Sequence, residues 1–381
     1  MAVQTDAGLQ TVRIGFLPLT DCAALAVAVE RGFDRKYGLR IVLSRESSWA
    51  AVRDKLGSGM LDAAHVLYGL VYGVQLGIGC QQQEMAVLMN LSQNGQSITL
   101  ARALAGRGAV SGEALARQMR ADGRPTTFAH TFPTGNHAML LNYWLAAQGI
   151  DPLREARLAT LPPAQMVASL RAGQIDGFCA GEPWGQRAML DEVGVTLATT
   201  QQVWQDHPGK VLGTTAIFAE RNPDTCKALV AALLEAGRWI DAGPENRAAT
   251  AQLLADPAYL GTAEGVIAPR LLGQYQDGMG ASWQDPHPLA FYRGGAVNFP
   301  YLSDAMWFMT QHKRWGLLKD HPDYRGLAGA VNRIDLYSGG AALAGTPLPS
   351  SALRSSTLID GVCWDGSDPA GYADSFAIRA R

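Results

Sequence analysis

Charge is scarce in this sequence: only 17% of its 381 residues are Asp, Glu, Lys or Arg. With 32 basic residues against 34 acidic ones the net charge is -2, so no overall field exists to draw in nucleic acid or an acidic membrane surface. Cysteine is as sparse. Cys22, Cys80, Cys179, Cys226 and Cys363 are odd in number and show no CxxC spacing. This argues against a disulfide framework or a zinc site and predicts reduced, mostly core cysteines in a cytoplasm. No apolar run is long enough to span a bilayer; the longest, 66–80, is interrupted by Gln75 and four glycines and predicts a buried helix. The first ten residues lack the basic stretch and the apolar run of roughly 7 to 15 residues that make an export signal, so none is expected. The chain also has no Gly-X-Ser-X-Gly elbow, no glycine-rich phosphate loop, no Cys/His metal spacing and no GxGxxG after a strand. Nothing in it pairs a nucleophile with a base. No enzyme, no cofactor and no metal is expected.

What is present is ample apolar material, 48% of the residues, in a length that suits about two domains. Residues 11–17 form a short apolar run suited to a buried strand. Thr20-Asp21-Cys22 is a capping-type start before a helix over 23–32, and 40–44 and 49–56 read as a second strand and a further helix. That is a βαβ unit. Gly59-Met-Leu-Asp62 and Gly173-Gln-Ile-Asp176 are similar helix-to-strand turns, one in each half, which predicts two α/β lobes with similar wiring. Between them alternate helix 111–119, strand 126–129, helix 136–149, strand 158–161 and helix 164–172, and 214–220 is expected to be a strand returning to the first lobe. Helices dominate after Pro223. From about Tyr337 the Gly, Ser, Ala and Pro content rises and periodicity fades, which predicts either an irregular wrap around the first lobe or a partly mobile segment. Gly181-Glu182-Pro183-Trp184 closes a short buried strand at the end where ligands sit in open α/β sheets.

Four segments taken together resemble the solute-binding proteins for nitrate, nitrite and related small anions, and their cytoplasmic sensor relatives. They are Trp49-Ala-Ala-Val-Arg-Asp-Lys-Leu-Gly, the run from Ala129 through Gly135-Asn136-His137 to Ala147, the stretch from Leu161-Pro-Pro-Ala-Gln through Gly181-Glu-Pro-Trp to His207-Pro-Gly-Lys210, and Tyr301-Leu-Ser-Asp-Ala-Met-Trp-Phe with Arg314-Trp-Gly. The resemblance implies an α/β, two-lobe type II periplasmic-binding-protein fold with the ligand cleft between the lobes. By analogy residues 11–99 plus 220–381 form lobe 1, and 100–219 form lobe 2. It also implies ligand-binding roles for Trp49, Gln93, His137 and Lys210, with Pro163 as a further wall of the pocket.

The chemistry of those residues suits a planar, weakly hydrated monovalent anion. Lys210 would supply charge, Gln93 an amide N–H, Trp49 an indole donor and ring face, and His137 an N–H at a helix start that adds roughly 0.3–1 kcal/mol. A protonatable His137 would tighten binding as pH falls. Glu182 would repel an anion and is expected to bind backbone or a basic partner. Bicarbonate receptors share much of the framework and recruit calcium through an acidic residue near the pocket; no such carboxylate pair is read here. The resemblance is strongest to sensors of the NasS type. These are cytoplasmic and hold an antiterminator response regulator (NasT type, with an RNA-binding ANTAR domain) until nitrate or nitrite releases it. The expected function is therefore a nitrate/nitrite sensor that touches neither nucleic acid nor membrane. The alternative is the exported substrate-binding subunit of a nitrate/nitrite ABC transporter, and a third option is a receptor for another small molecule such as a sulfonate or a pyrimidine precursor.

Overall fold

In the computed structural model residues 8–380 are described; residues 1–7, on which most of the leader reading falls, and Arg381 lie outside them. Ten strands build two sheets: β1 Gln10–Phe16, β2 Leu39–Arg45, β3 Ala63–Leu67, β4 Met85–Asn90, β5 Gln96–Ala101, β6 Thr126–His130, β7 Ala156–Thr160, β8 Gly177–Gly181, β9 Gly194–Thr199 and β10 Lys210–Thr215. One sheet runs β2-β1-β3-β10-β4 and the other β7-β6-β8-β5-β9. The two orders correspond place for place. In each sheet β1 and β6 pair parallel with both neighbours, and the fourth strand, β10 or β5, runs antiparallel.

The repeated Gly-X-Leu/Ile-Asp turn does the same work in both lobes. Asp62 N donates to Arg13 O at 2.9 Å while its carboxylate accepts from Arg13 N at 2.7 Å. Asp176 does likewise with Thr127, at 2.7 Å and 2.8 Å. Each aspartate thus locks the strand that follows it, β3 or β8, to its parallel neighbour, β1 or β6, and pairs two backbone groups there.

Sheet membership moves the expected lobe limits of 99/100 and 219/220. The chain leaves the first sheet across 91–95 and returns across 200–209, so β5 begins in the second lobe and β10 already belongs to the first. Two further expectations are corrected. The strand predicted over 214–220 is β10, ending at Thr215, whose hydroxyl accepts from Phe218 N and caps the helix Ala216–Arg221. The helix predicted over 66–80 runs Tyr68–Gln75, because Val66 and Leu67 complete β3 and Gly77 and Gly79 take positive φ beyond its end.

The C-terminal part is more ordered and reaches further than predicted. It contains the helix Ile334–Leu343, a hairpin of Ser356–Thr357 with Cys363–Trp364, and the helix Pro369–Asp374. Beyond the first lobe it grips the second: Ile359 N donates to Val203 O at 2.9 Å, and Tyr143 Oη to Asp360 Oδ2 at 2.9 Å. One hydrophobic cluster accordingly runs from Trp49 and Leu70 through Leu140 and Trp204 to Trp307 and Trp364. No helix among the described residues is long and apolar enough to cross a membrane, and all five cysteines are unpaired, three of them buried.

Candidate functional site

The mutually parallel strands of both sheets aim their C-terminal ends, and the antiparallel β5 and β10 their N-terminal ends, at the seam between the lobes, the position where open α/β folds hold ligands. After β1 comes the turn Thr20–Cys22, and after β2 the helix Trp49–Gly57, capped by Ser48. β6 leads through Thr131 into the helix Asn136–Ala147, β7 into the turn Pro163–Gln165, and β8 ends at Gly181. Lys210 opens β10.

The structure brings Trp49, His137 and Lys210 to this seam and buries them, at 1%, 0% and 0% exposure. Lys210 Nζ lies 5.9 Å from the centroid of the Trp49 ring, whose indole N–H has no partner. His137 Nδ1 is 2.5 Å from Thr131 Oγ1, and its Nε2 is unpartnered. With the threonine hydroxyl donating to Nδ1, Nε2 carries the proton and is a free donor. Gly181 of the second lobe stands at this approach: a Cβ there would be in ordinary contact, 3.6 Å from both Lys210 Nζ and Asp21 Oδ2.

Asn136 ties the lobes beside these groups. Its amide donates to Gly209 O at 2.6 Å and its oxygen accepts from Gly69 N at 3.2 Å. Thr20 N donates to Glu182 O across the same seam at 2.8 Å. Glu182 itself turns to partners, as expected: Ser97 Oγ, Gln186 N and the guanidinium of Arg270.

Three expectations change. Gln93 does not present its amide to the cluster. Its backbone pairs with Ala290 in both directions and its Nε2 donates to Ala296 O at 3.4 Å. Three residues on, Gln96 begins β5, pairs with Gly181, and is buried with both amide atoms unpartnered. Gln96 replaces Gln93 as the candidate amide donor; its signal in the sequence was the Asn94-Gly95 turn that starts the crossing strand.

Lys210 is not a free charge. Its Nζ lies 2.6 Å from Asp21 Oδ2, and His65 Nε2 lies 2.8 Å from Asp21 Oδ1. Asp21 was read only as part of a capping-type helix start, and His65 was not singled out. Burial pushes the Asp21 carboxyl up, but the charge of Lys210, with the hydrogen bond from His65, outweighs it and holds it well below the usual carboxylate range. An acidic residue therefore does stand at the site.

His137 is the third. Burial and then Lys210 drive its pKa well below the ordinary value, so it stands neutral at physiological pH. Pro163, expected as a further wall, is buried at the first position of its turn beyond β7, an edge strand of the second sheet.

Buried donors without partners cost about 1–3 kcal/mol each, and native proteins keep few of them. Trp49 Nε1 and His137 Nε2 beside one lysine, with the Gln96 amide on the strand paired to Gly181, therefore make a candidate site for a small polar acceptor that supplies what they lack. A two-lobed α/β molecule with such a cluster at its seam is a ligand-binding protein of the periplasmic-binding-protein fold. Residues 5–255 match the NMT1-like family. A nitrate/nitrite binding protein, NrtA, of Synechococcus elongatus is 37% identical over 97% of this chain and 86% of its own. The crystal structure of the periplasmic nitrate-binding protein NrtA from Synechocystis superposes with a TM-score of 0.91, at 33% identity over 97% of this chain and 99% of that one. The chain belongs to the NMT1-like family and, within it, to the nitrate/nitrite-binding proteins. It is also 36% identical, over 98% of its length, to a bicarbonate transport ATP-binding protein, CmpC, of Synechocystis, of which it spans about half, 56%.

Proposed function

We propose that this chain is a receptor, not a catalyst, that takes nitrate or nitrite into the seam between its lobes and closes over it. The observation that carries this reading is the pair of buried, unpartnered donors beside Lys210, Trp49 Nε1 and His137 Nε2, with the unpartnered Gln96 amide on the strand that pairs with Gly181. A planar monoanion has acceptors in its plane for these donors and a face for the indole ring. Groups from both lobes are needed to surround so small an ion, so the ligand favours the closed arrangement over any open one. Overall identity separates nitrate from bicarbonate relatives poorly, since 37% and 36% are equivalent. Calorimetric titration with nitrate, nitrite, bicarbonate and sulfate therefore tests the reading directly. Nitrate or nitrite should bind most tightly, and a preference for bicarbonate would reassign the ligand.

The names of the relatives favour the substrate-binding component of an import system, which the sequence reading held as its alternative. They lend no support to the cytoplasmic sensor with its antiterminator partner. The two roles share one pocket and differ in compartment and partner. Fractionation of the native protein, with co-purification in the presence and absence of nitrate, separates them. Periplasmic protein that recovers membrane permease subunits supports import. Cytoplasmic protein that releases an RNA-binding regulator on addition of nitrate would restore the sensor.

A further inference from the structure

Lys210 enters the site with its charge already matched. Asp21 Oδ2 takes its ammonium at 2.6 Å, His65 Nε2 is 2.8 Å from the other carboxylate oxygen, and all three side chains are at most 1% exposed. The other titratable groups come from every element at the seam. His65 lies on β3, His130 ends β6, His137 opens the helix behind it, and His207 precedes β10. Burial lowers the pKa of all four, to about 4 for His130 and His207, so each stands neutral at pH 7. Glu182 is answered by Arg270 at 3.4 Å. The pocket therefore sums to zero before any ligand arrives.

We propose that Asp21 is a specificity-determining residue: by cancelling Lys210 it makes the pocket accept a monovalent anion and reject a divalent one of similar size. The proposal rests on the anion-receptor reading above and adds the charge class it selects. At short range Lys210 still donates hydrogen bonds to the anion, but at longer range the pair is only a dipole. A monoanion then leaves the buried site with one uncompensated charge and a dianion with two. The cost of burying charge rises as its square, so the second charge is penalised far more than the first. His65 acts as a positioning residue, holding the carboxylate turned toward the lysine.

The test uses nitrate and sulfite, a three-oxygen anion that is pyramidal where nitrate is planar and doubly charged in alkaline buffer; shape is the same in wild type and variant, so the change in their ratio reads charge. In Asp21→Asn the pocket carries one positive charge, so sulfite in the variant has the net balance that nitrate has in the wild type. The preference for nitrate over sulfite should fall by at least about tenfold, equal to ~1.4 kcal/mol. An unchanged ratio in folded Asp21→Asn overturns the proposal.

A second pair of variants keeps the question open if that one does not fold. Lys210→Met alone leaves the aspartate facing the anion and should weaken nitrate binding at least about a hundredfold. Adding Asp21→Asn replaces the whole ion pair by neutral groups of similar size, a change proteins often tolerate. It should recover at least about tenfold of the affinity lost in Lys210→Met, the remaining loss being the hydrogen bond that Lys210 itself gave the anion. Failure of that rescue overturns the proposal equally. A wild-type chain that binds neither nitrate nor nitrite would refute the receptor reading itself, before any variant is made, and the charge filter with it.

Discussion

At the scale of single residues, the contrast between Gln93 and Gln96 gives a direct prediction. Gln96→Ala removes a buried donor that has no other partner, so nitrate affinity should fall by about 1–3 kcal/mol, roughly 5- to 150-fold. Gln93→Ala, which removes only a long bond to Ala296 O, should change it by less than about threefold. Calorimetry on both variants decides between them, and the reverse order of effects would return the role to Gln93. His137 makes a second prediction. Protonation of a histidine held well below its ordinary pKa does not contribute between pH 8 and 6, so nitrate affinity should vary by less than about twofold across that window. A tenfold gain on acidification would mean that the imidazole takes up a proton with the anion.

At the scale of elements, the seam depends on a glycine. Gly69 lies in the first turn of the helix Tyr68–Gln75, and a Cβ on it would stand 2.2 Å from Thr134 O of the opposite lobe. Alanine favours a helix by roughly 1 kcal/mol over glycine, so Gly69→Ala should leave the first lobe folded while holding the lobes apart. Nitrate affinity should drop at least about a hundredfold with an unchanged circular-dichroism spectrum; normal affinity would show that closure does not need this contact.

How much of this was legible beforehand follows from which signals are local. The twin Asp62 and Asp176 turns could be read as paired devices because glycine, apolar residue and aspartate lie within four positions and act on the backbone nearby. The helix from Trp49 and the helix at His137 were legible for the same reason. Asp21 was misread because its partners, His65 and Lys210, are 44 and 189 residues away. A polar residue before a helix looks identical whether it caps that helix or neutralises a distant lysine. The predicted strand over 214–220 failed where tertiary pairing decided: β10 is fixed by its antiparallel neighbours β3 and β4, which start it at Lys210, and Thr215 then caps a helix. The grip of the C-terminal hairpin on the second lobe rests on irregular contacts of Leu358, Ile359 and Asp360, which have no period to detect.

At the scale of the whole molecule, buried neutral histidines set the acid limit of stability. Burial lowers His130, His207 and His312 from 6.5 to about 4, each opposed where a backbone bond favours the charged form, as Pro208 does for His207 and Thr134 for His312. Their folded pKa values lie below the unfolded one, so the unfolded chain binds more protons between those limits. Stability is full above about pH 6.5 and is lost as pH falls toward 4, by about 3 kcal/mol for each histidine. Thermal midpoints recorded across that range should fall steeply, and a flat profile would show that these rings are charged or solvated in the native state.

The return of β10 to the first sheet also has a consequence for the order in which the molecule is made. A ribosome delivers all of the second sheet, from β5 to β9, before Lys210 appears. Until then β3 and β4 are synthesised yet lack the strand that lies between them, so the first sheet waits with a gap while the second can already close. Filling that gap sets the lysine beside Asp21, a partner made 189 residues earlier. The ion pair therefore forms as the last central strand arrives, and a nascent chain halted before residue 210 has two lobes in outline and no counter-charge between them.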